Sequence, residues 1–291
     1  MYGRKLPLLR KKECGQNFNI LILSKTENIQ EDFSKYNGEG TVLRKAQLRM
    51  LEILIVVDKI CKKHNISYWL DGGTCLGAVR HGGFIPWDDD IDIAVMRKDY
   101  YKLCAILKKE LPDNLVFQDK TTDKNYPSLF AKVRDKHSCL REEYVKDRQF
   151  KEQGVFIDIF PIEKGVKRVK AFVDFFYRRA FRRLHGLAAN KYELIIAGLM
   201  WIPSCCLVYV ARFFNFLLPT NALIYAYGVT TLKHYQLNKK DFLPVKPIMF
   251  EGMIFMGPAN SDAYLKRLYG DYMQVPPPEK RMSHATELEI W

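Results

Sequence analysis

Six consecutive residues, Asp88-Asp89-Asp90-Ile91-Asp92-Ile93, carry the densest chemistry in the chain. In a strand, side chains two apart share a face, so Asp90 and Asp92 would point one way and Ile91 and Ile93 the other. Two carboxylates held side by side repel each other unless a cation lies between them. Mg²⁺ (or Mn²⁺) suits the pair, because a hard cation is commonly held by one or two carboxylates together with substrate phosphates. A solvated acidic loop has the same composition, and this short spacing alone does not separate the two.

Two further features bear on the choice. Upstream lies Asp71-Gly72-Gly73-Thr74, at the head of a segment with helical patterning. Glycine lets backbone N–H groups come close to phosphate oxygens, and a helix N-terminus favours negative charge. Downstream, Asp158 sits between Ile157 and Ile159 in an otherwise apolar strand pattern. A buried lone charge is costly, so this carboxylate is paired, protonated or bound to metal. The readings are an ion pair with Arg134 or another core base, or a metal ligand or general base beside Asp90 and Asp92.

The elements that must position these groups follow from periodicity. Apolar residues at three- and four-residue intervals from Leu43 to Cys61 predict an amphipathic helix ending near His64-Asn65. A short strand over 66–71, a helix over 74–80 closed by His81-Gly82-Gly83, and a strand through the acids should follow. Residues 98–111 read as a helix stopped by Pro112, and 129–134 and 155–160 as strands. Residues 17–24 are a candidate strand. The turn-rich stretch 36–40 marks a boundary, giving an extension over 1–40 and a domain over 41–291.

Quoted in order, the residues 68–74, 76–81 and 83–92 resemble the hallmark of the LicD/fukutin family of phosphotransferases. Lys132-Val133-Arg134-Asp135, residues 156–161, Phe250-Glu251-Gly252, residues 269–272 and 276–281, and His284 extend the likeness over roughly 41–285. Cys75 stands where an aliphatic residue is usual, and 164–240 matches weakly. The resemblance implies an α+β fold: a nucleotidyltransferase-like, polymerase-beta-type mixed sheet packed with helices, plus a helical basic and apolar region. It implies transfer of a phosphorylated small alcohol, phosphocholine from CDP-choline being typical, to a cell-surface glycan or lipid-linked precursor. Asp90 and Asp92 would then bind Mg²⁺, Gly72, Gly73 and Thr74 would cradle the diphosphate, and Asp158 would hold a second metal or take the acceptor proton. Arg80, Lys132 and Arg134 are candidate phosphate clamps or ordinary ion-pair partners; Arg281 and His284 are candidates to close over the nucleotide. Trp69 and Trp87 read as core or base-stacking residues, and Glu251 as a supporting ligand. The competing readings are nucleotidyl transfer from an NTP to a small molecule or RNA, and a silent membrane-associated scaffold.

Composition bounds the rest. With 48% hydrophobic and 27% charged residues the chain is a folded protein, and its net charge of +13 calls for an anionic partner. Nine Lys or Arg residues and one acid, Asp174, lie between Lys164 and Lys191, and residues 194–211 carry no charge. Bases beside an apolar run suit an anionic membrane surface, approached peripherally, by a span, or not at all if the two segments form a soluble pair. No nucleic-acid-binding motif accompanies the charge, which disfavours nucleic acid. Seven cysteines without a C-x-x-C pair fit a reducing cytoplasm, with attachment expected at the inner face of the cell membrane.

Overall fold

The computed structural model describes residues 32–126, 128–142, 150–182, 191–229, 236–281, 283 and 285–291. A single turn, α1 (Ser34–Asn37), leads to Thr41, whose hydroxyl oxygen accepts the Arg44 N–H at 3.2 Å and so starts α2 (Val42–Lys63). α2 buries Ile53, Leu54, Val57, Ile60 and Cys61 as the spacing predicts, with Met50 buried beside them and Leu48 exposed, and stops at His64. The chain continues through β1 (Tyr68–Leu70), α3 (Gly72–His81), β2 (Asp92–Met96), α4 (Arg97–Glu110), β3 (Leu115–Gln118), β4 (Ala131–Asp135), β5 (Ser138–Glu142) and β6 (Phe156–Lys164). Two helices follow, α5 (Lys167–Arg182) and α6 (Lys191–Leu217). Then come β7 (Ala222–Tyr225), β8 (Leu237–Asn238), α7 (Lys239–Phe242), β9 (Lys246–Phe250), β10 (Met253–Gly257), α8 (Ser261–Tyr269) and β11 (Ala285–Ile290).

Seven strands make one mixed sheet, ordered β1-β2-β6-β4-β3, with β7 paired to β6 and β8 to β7. Only β2 and β6 run parallel; every other pairing in that sheet is antiparallel. β2 lines one side of β6, and β4 and β7 take successive stretches of the other, so β6 is the central strand. Helices therefore pack on a mixed sheet, as the α+β expectation requires. The register sorts the side chains into rows. Phe117, Val133 and Ile157 form one row, and Ala131, Ile159, Ile93 and Leu70 another on the same face, all buried. Between them, on the opposite face, runs the row Gln118, Lys132, Asp158, Asp92.

The structure differs from the periodicity reading at three places. The strand through the acids begins only at Asp92, so Asp90 lies in the connection before it. The reason is local: the Asp92 N–H donates to Thr74 Oγ1 at 2.8 Å instead of to a neighbouring strand. The strand expected over 155–160 runs on to Lys164, because β7 pairs with its last three residues. Phe33 and Tyr36, placed by sequence in an extension, stack edge-on against Trp87 at 5.9 and 5.5 Å between centroids. The candidate strand over 17–24 lies outside the described residues.

α3 presses its backbone against the loop that delivers the acids. A Cβ added to Gly77 would collide with the Gly83 carbonyl oxygen and stand 3.0 Å from the Ile85 nitrogen. Gly77→Ala should therefore destabilise the protein by about 1–3 kcal/mol, the usual cost of overpacking. Urea unfolding measures this directly, and an unchanged midpoint would show that α3 does not need that closeness.

Candidate active site

Four aspartates surround Asp92. The parallel register sets Asp92 beside Asp158 on one face of the sheet. The Asp71 N–H donates to the Asp92 carbonyl at 2.9 Å, and the Asp158 N–H donates to the Ile91 carbonyl at 2.7 Å. With Thr74 holding the Asp92 N–H, the backbone carrying this carboxylate is fixed on both sides. Desolvation, then the charges of Asp90, Asp158, Asp71 and Asp88, push the Asp92 carboxyl well above the ordinary carboxylate range.

The glycine turn faces these acids. A Cβ added to Gly72 would stand 3.1 Å from Asp92 Oδ2, and one added to Gly73 would stand 3.0 Å from Asp88 Oδ2. Gly72 has φ +48°, a conformation that side chains rarely adopt. Hydrogen, and nothing larger, therefore separates the turn from the carboxylates. The cradle expected of Gly72, Gly73 and Thr74 needs partial correction. The Gly72 N–H already donates to Tyr264 Oη at 2.9 Å, and the buried Thr74 hydroxyl already accepts from Asp92. Thr74 positions a carboxylate.

Asp71 is the floor of the site. It is buried, and it accepts hydrogen bonds from Tyr225 Oη at 2.5 Å and Tyr264 Oη at 2.6 Å. Burial raises its pKa, and these two hydroxyls oppose the rise. Tyr269 turns its hydroxyl towards Gly72; desolvation there and the charges of Asp92 and Asp71 keep the phenol protonated. Sequence reasoning missed the two tyrosines that hold Asp71. Tyr225 and Tyr264 lie 154 and 193 residues from it, and no local pattern announces such a contact.

Asp158 pairs with a base, but Lys132 is that base rather than Arg134. Lys132 Nζ lies 2.9 Å from Asp158 Oδ1 and 3.3 Å from Glu142 Oε2, with the Phe156 ring centroid 3.2 Å away. Burial lifts the Asp158 carboxyl to about 7; Lys132 pulls it down and Glu142 pushes it up. Asp158 Oδ1 is buried and accepts no well-directed hydrogen bond among the described residues. Lys132 is buried with its two carboxylates, so as a phosphate clamp it would have to leave them. Arg134 is buried and gives its Nε to Gln118 at 2.6 Å and its Nη1 to the Gly154 carbonyl at 2.7 Å. It braces the sheet and is no clamp.

The remaining candidates separate by position. Arg80 donates to the Tyr272 carbonyl at 2.8 Å and feels the charge of Asp88, which places it at the rim of the acidic centre. Arg281 donates to the Pro276 carbonyl at 2.8 Å and covers the Trp87 ring at 5.0 Å. His284 lies outside the described residues. Asp89 faces away from catalytic work: it accepts from Ser283 Oγ at 2.6 Å and Ala285 N at 2.5 Å, clipping the C-terminal strand to the loop. Glu251 accepts from Phe84 N at 3.0 Å and Arg44 Nη2 at 2.6 Å, so it holds the 82–84 loop rather than a ligand. Trp69 is core, packed on Phe242.

The donor set suits a hard cation in chemistry, with carboxylates crowded against a glycine turn. Among the described residues, no three His, Cys, Asp or Glu side chains converge closely enough to hold a metal unaided. Two carboxylates completed by substrate phosphates is the arrangement that fits.

Residues 65–183, which contain this whole acidic row, match the family described as LicD/FKTN/FKRP, nucleotidyltransferase domain. The chain is 27% identical over 260 residues to the lipopolysaccharide cholinephosphotransferase LicD of Haemophilus influenzae, covering 83% of this chain and 95% of that protein. It is also 39% identical over 69 residues to the ribitol 5-phosphate transferase FKRP of Mus musculus, covering 23% of this chain and 14% of that protein. A third relative, the ribitol-5-phosphate transferase FKTN of Mus musculus, is 37% identical over 72 residues, 25% of this chain and 15% of its own length. The match over 65–183 and the likeness running nearly the length of a bacterial relative show that this chain is similar to the LicD family.

Proposed function

We propose that the chain moves a phosphorylated small alcohol, phosphocholine from CDP-choline in the first instance, onto a glycan or a lipid-linked glycan precursor. The observation that carries this reading is the crowding of Asp71, Asp88, Asp90 and Asp158 about Asp92, directly against the Gly72–Gly73 turn. So much like charge in one partly desolvated place is built to receive a cation and, with it, a diphosphate. Support for the alcohol and the acceptor comes from the cholinephosphotransferase and ribitol-phosphate transferases among the relatives. The sheet order and packing are compatible with the nucleotidyltransferase-like architecture that the matched family's description names.

In this reading Asp90 and Asp92 would hold Mg²⁺ or Mn²⁺ against the donor diphosphate. A divalent cation there would neutralise charge developing on the departing nucleotide phosphate. Arg80 would face the donor phosphates from the rim of the acidic centre. Asp158, with a carboxyl near neutrality, takes the proton of the acceptor hydroxyl as that oxygen attacks the phosphorus nearest the choline. The new oxygen–phosphorus bond forms as the bond to CMP breaks. Pairing with Lys132 favours Asp158 as the base over a ligand role, because the ammonium occupies the side a second cation would use. Lys132 is a positioning residue: it tunes Asp158.

Three outcomes test the reading. Incubation with CDP-choline and an acceptor glycan should release CMP and leave choline on the product; pyrophosphate from an NTP instead would assign the rival nucleotidyl transfer. Asp90→Asn and Asp92→Asn should each lower kcat/KM by at least about a hundredfold. Each should also abolish a rise in Tm on adding Mg²⁺, which saturating ligand would make worth about 2–3 kcal/mol. Full activity in both variants would remove the site. Lys132→Met tests the base. Loss of the ammonium raises the Asp158 pKa above about 7, so the acidic limb of kcat/KM should move to higher pH. A limb that stays in place in the folded variant would exclude Asp158 as base.

A further inference from the structure

α6 is apolar on every side, yet the protein covers only one stripe of it. Ala197, Ser204, Val208, Ala211 and Asn215 are buried at helical spacing. Around them Leu199, Ile202, Tyr209, Phe213 and Phe216 are each 61–77% exposed. The stretch Leu194–Leu217 is long and apolar enough to cross a membrane by length and composition. A helix apolar all round belongs in a protein core or in lipid, and here no core surrounds it.

α5 adds the charge. Its exposed stripe reads Arg168, Phe172, Phe175, Arg179, two aromatic rings between two guanidiniums, with the Arg179 guanidinium 4.2 Å over the Phe175 ring. The one acid of α5, Asp174, is buried and paired with Lys170 at 2.5 Å, so the helix shows solvent only positive charge. α5 and α6 pack on each other, with Tyr177 stacked on Trp201 at 5.1 Å. One continuous element thus joins an exposed apolar flank to a basic, aromatic edge.

Topology decides how such an element can meet lipid. β6 leads into α5 and β7 follows α6, and these strands are paired, Ile162 with Tyr225. The entry and exit of the helical insertion therefore lie on the same side. A single crossing by α6 would put them on opposite sides. α5, at 16 residues, is about 24 Å long and amphipathic, too short and too charged to make the return crossing. The end of α6 is also tied to the sheet: Arg212 Nε pairs with the buried Glu163 at 2.8 Å, and Asn215 Nδ2 donates to Tyr227 Oη at 2.7 Å.

We propose that α5 and α6 form a monotopic docking face for an anionic lipid bilayer. The exposed flank of α6 enters the acyl boundary, and Arg168 and Arg179 meet the headgroups. A second copy of the chain is the poorer occupant, because a two-fold contact would set this basic edge against itself. The inference rests on α5 and α6 alone and holds whatever reaction the acidic centre performs.

Flotation of the purified full chain with phosphatidylcholine vesicles, with and without phosphatidylglycerol, tests it. The protein should float with the anionic vesicles and stay behind with the neutral ones. Arg168→Gln combined with Arg179→Gln should weaken anionic binding about thirtyfold, since each base near such a surface contributes about a factor of five. Phe213→Ser combined with Phe216→Ser, at exposed positions, should abolish flotation while leaving Tm and CDP-choline turnover in detergent-free solution unchanged. Failure to float with anionic vesicles, or a dimer in solution that these serines dissociate, would overturn the proposal. A protease-protected fragment containing α6 in sealed vesicles would replace docking with a span.

Discussion

Like charge confined to a small, partly dry volume is the constraint around which this protein is organised. At an effective dielectric of about 20, two unit charges about 5 Å apart repel by roughly 3 kcal/mol, and neighbouring strands impose about that spacing. The parallel pairing of Asp92 with Asp158 creates such a contact, and Asp71, Asp88 and Asp90 add to it. The fold relieves only part of it. Tyrosine hydroxyls stabilise Asp71, and Lys132 offsets Asp158. Asp92 is left with a raised pKa and a glycine turn instead of a counter-charge. A protein under selection for stability alone would place an arginine there. Such repulsion is what a bound cation would relieve.

Rigid backbone is what lets the repulsion persist. Every hydrogen-bonding group around Asp92 is tied to a different element: Thr74 from α3 on its N–H, Asp71 after β1 on its carbonyl, and Asp158 of β6 on the preceding carbonyl. α3 in turn sits so close to the 83–85 loop that Gly77 admits no side chain. Asp89, the middle acid of the run, clamps the loop to the C-terminal strand. Neighbours in sequence thus divide the labour, Asp89 holding the loop while Asp92 stands beside Asp158 in the sheet.

The identity of the acids was legible because i and i+2 spacing is a local property. The helix α2 and its end were legible for the same reason, since three-four periodicity lies within a few residues. The reading erred where long-range bonding decides. It extended the strand back to Asp90, not seeing that Thr74 would fill the N–H at Asp92. It offered Arg134 to phosphate, although Gln118 and Gly154 use its donors inside the sheet. It overlooked Tyr225 and Tyr264 because a lone tyrosine in a C-terminal segment carries no signal of a distant carboxylate. Only the strand register shows that Lys132, Asp158 and Asp92 stand in one line.

That line also explains how an apolar insertion can share a strand with a charged centre. β6 carries Asp158 near its start and Glu163 near its end, about 17 Å further along at strand rise. Glu163 is buried against Arg212 of α6 and Arg97 of α4, with the Tyr227 N–H donating to it at 3.2 Å. This second buried carboxylate is fully matched by bases, the reverse of Asp92. The matched end anchors the insertion. A long apolar helix can therefore be attached to the far end of β6 without disturbing the electrostatics at Asp158, because the sheet between them is apolar and hydrogen-bonded on both sides of the strand.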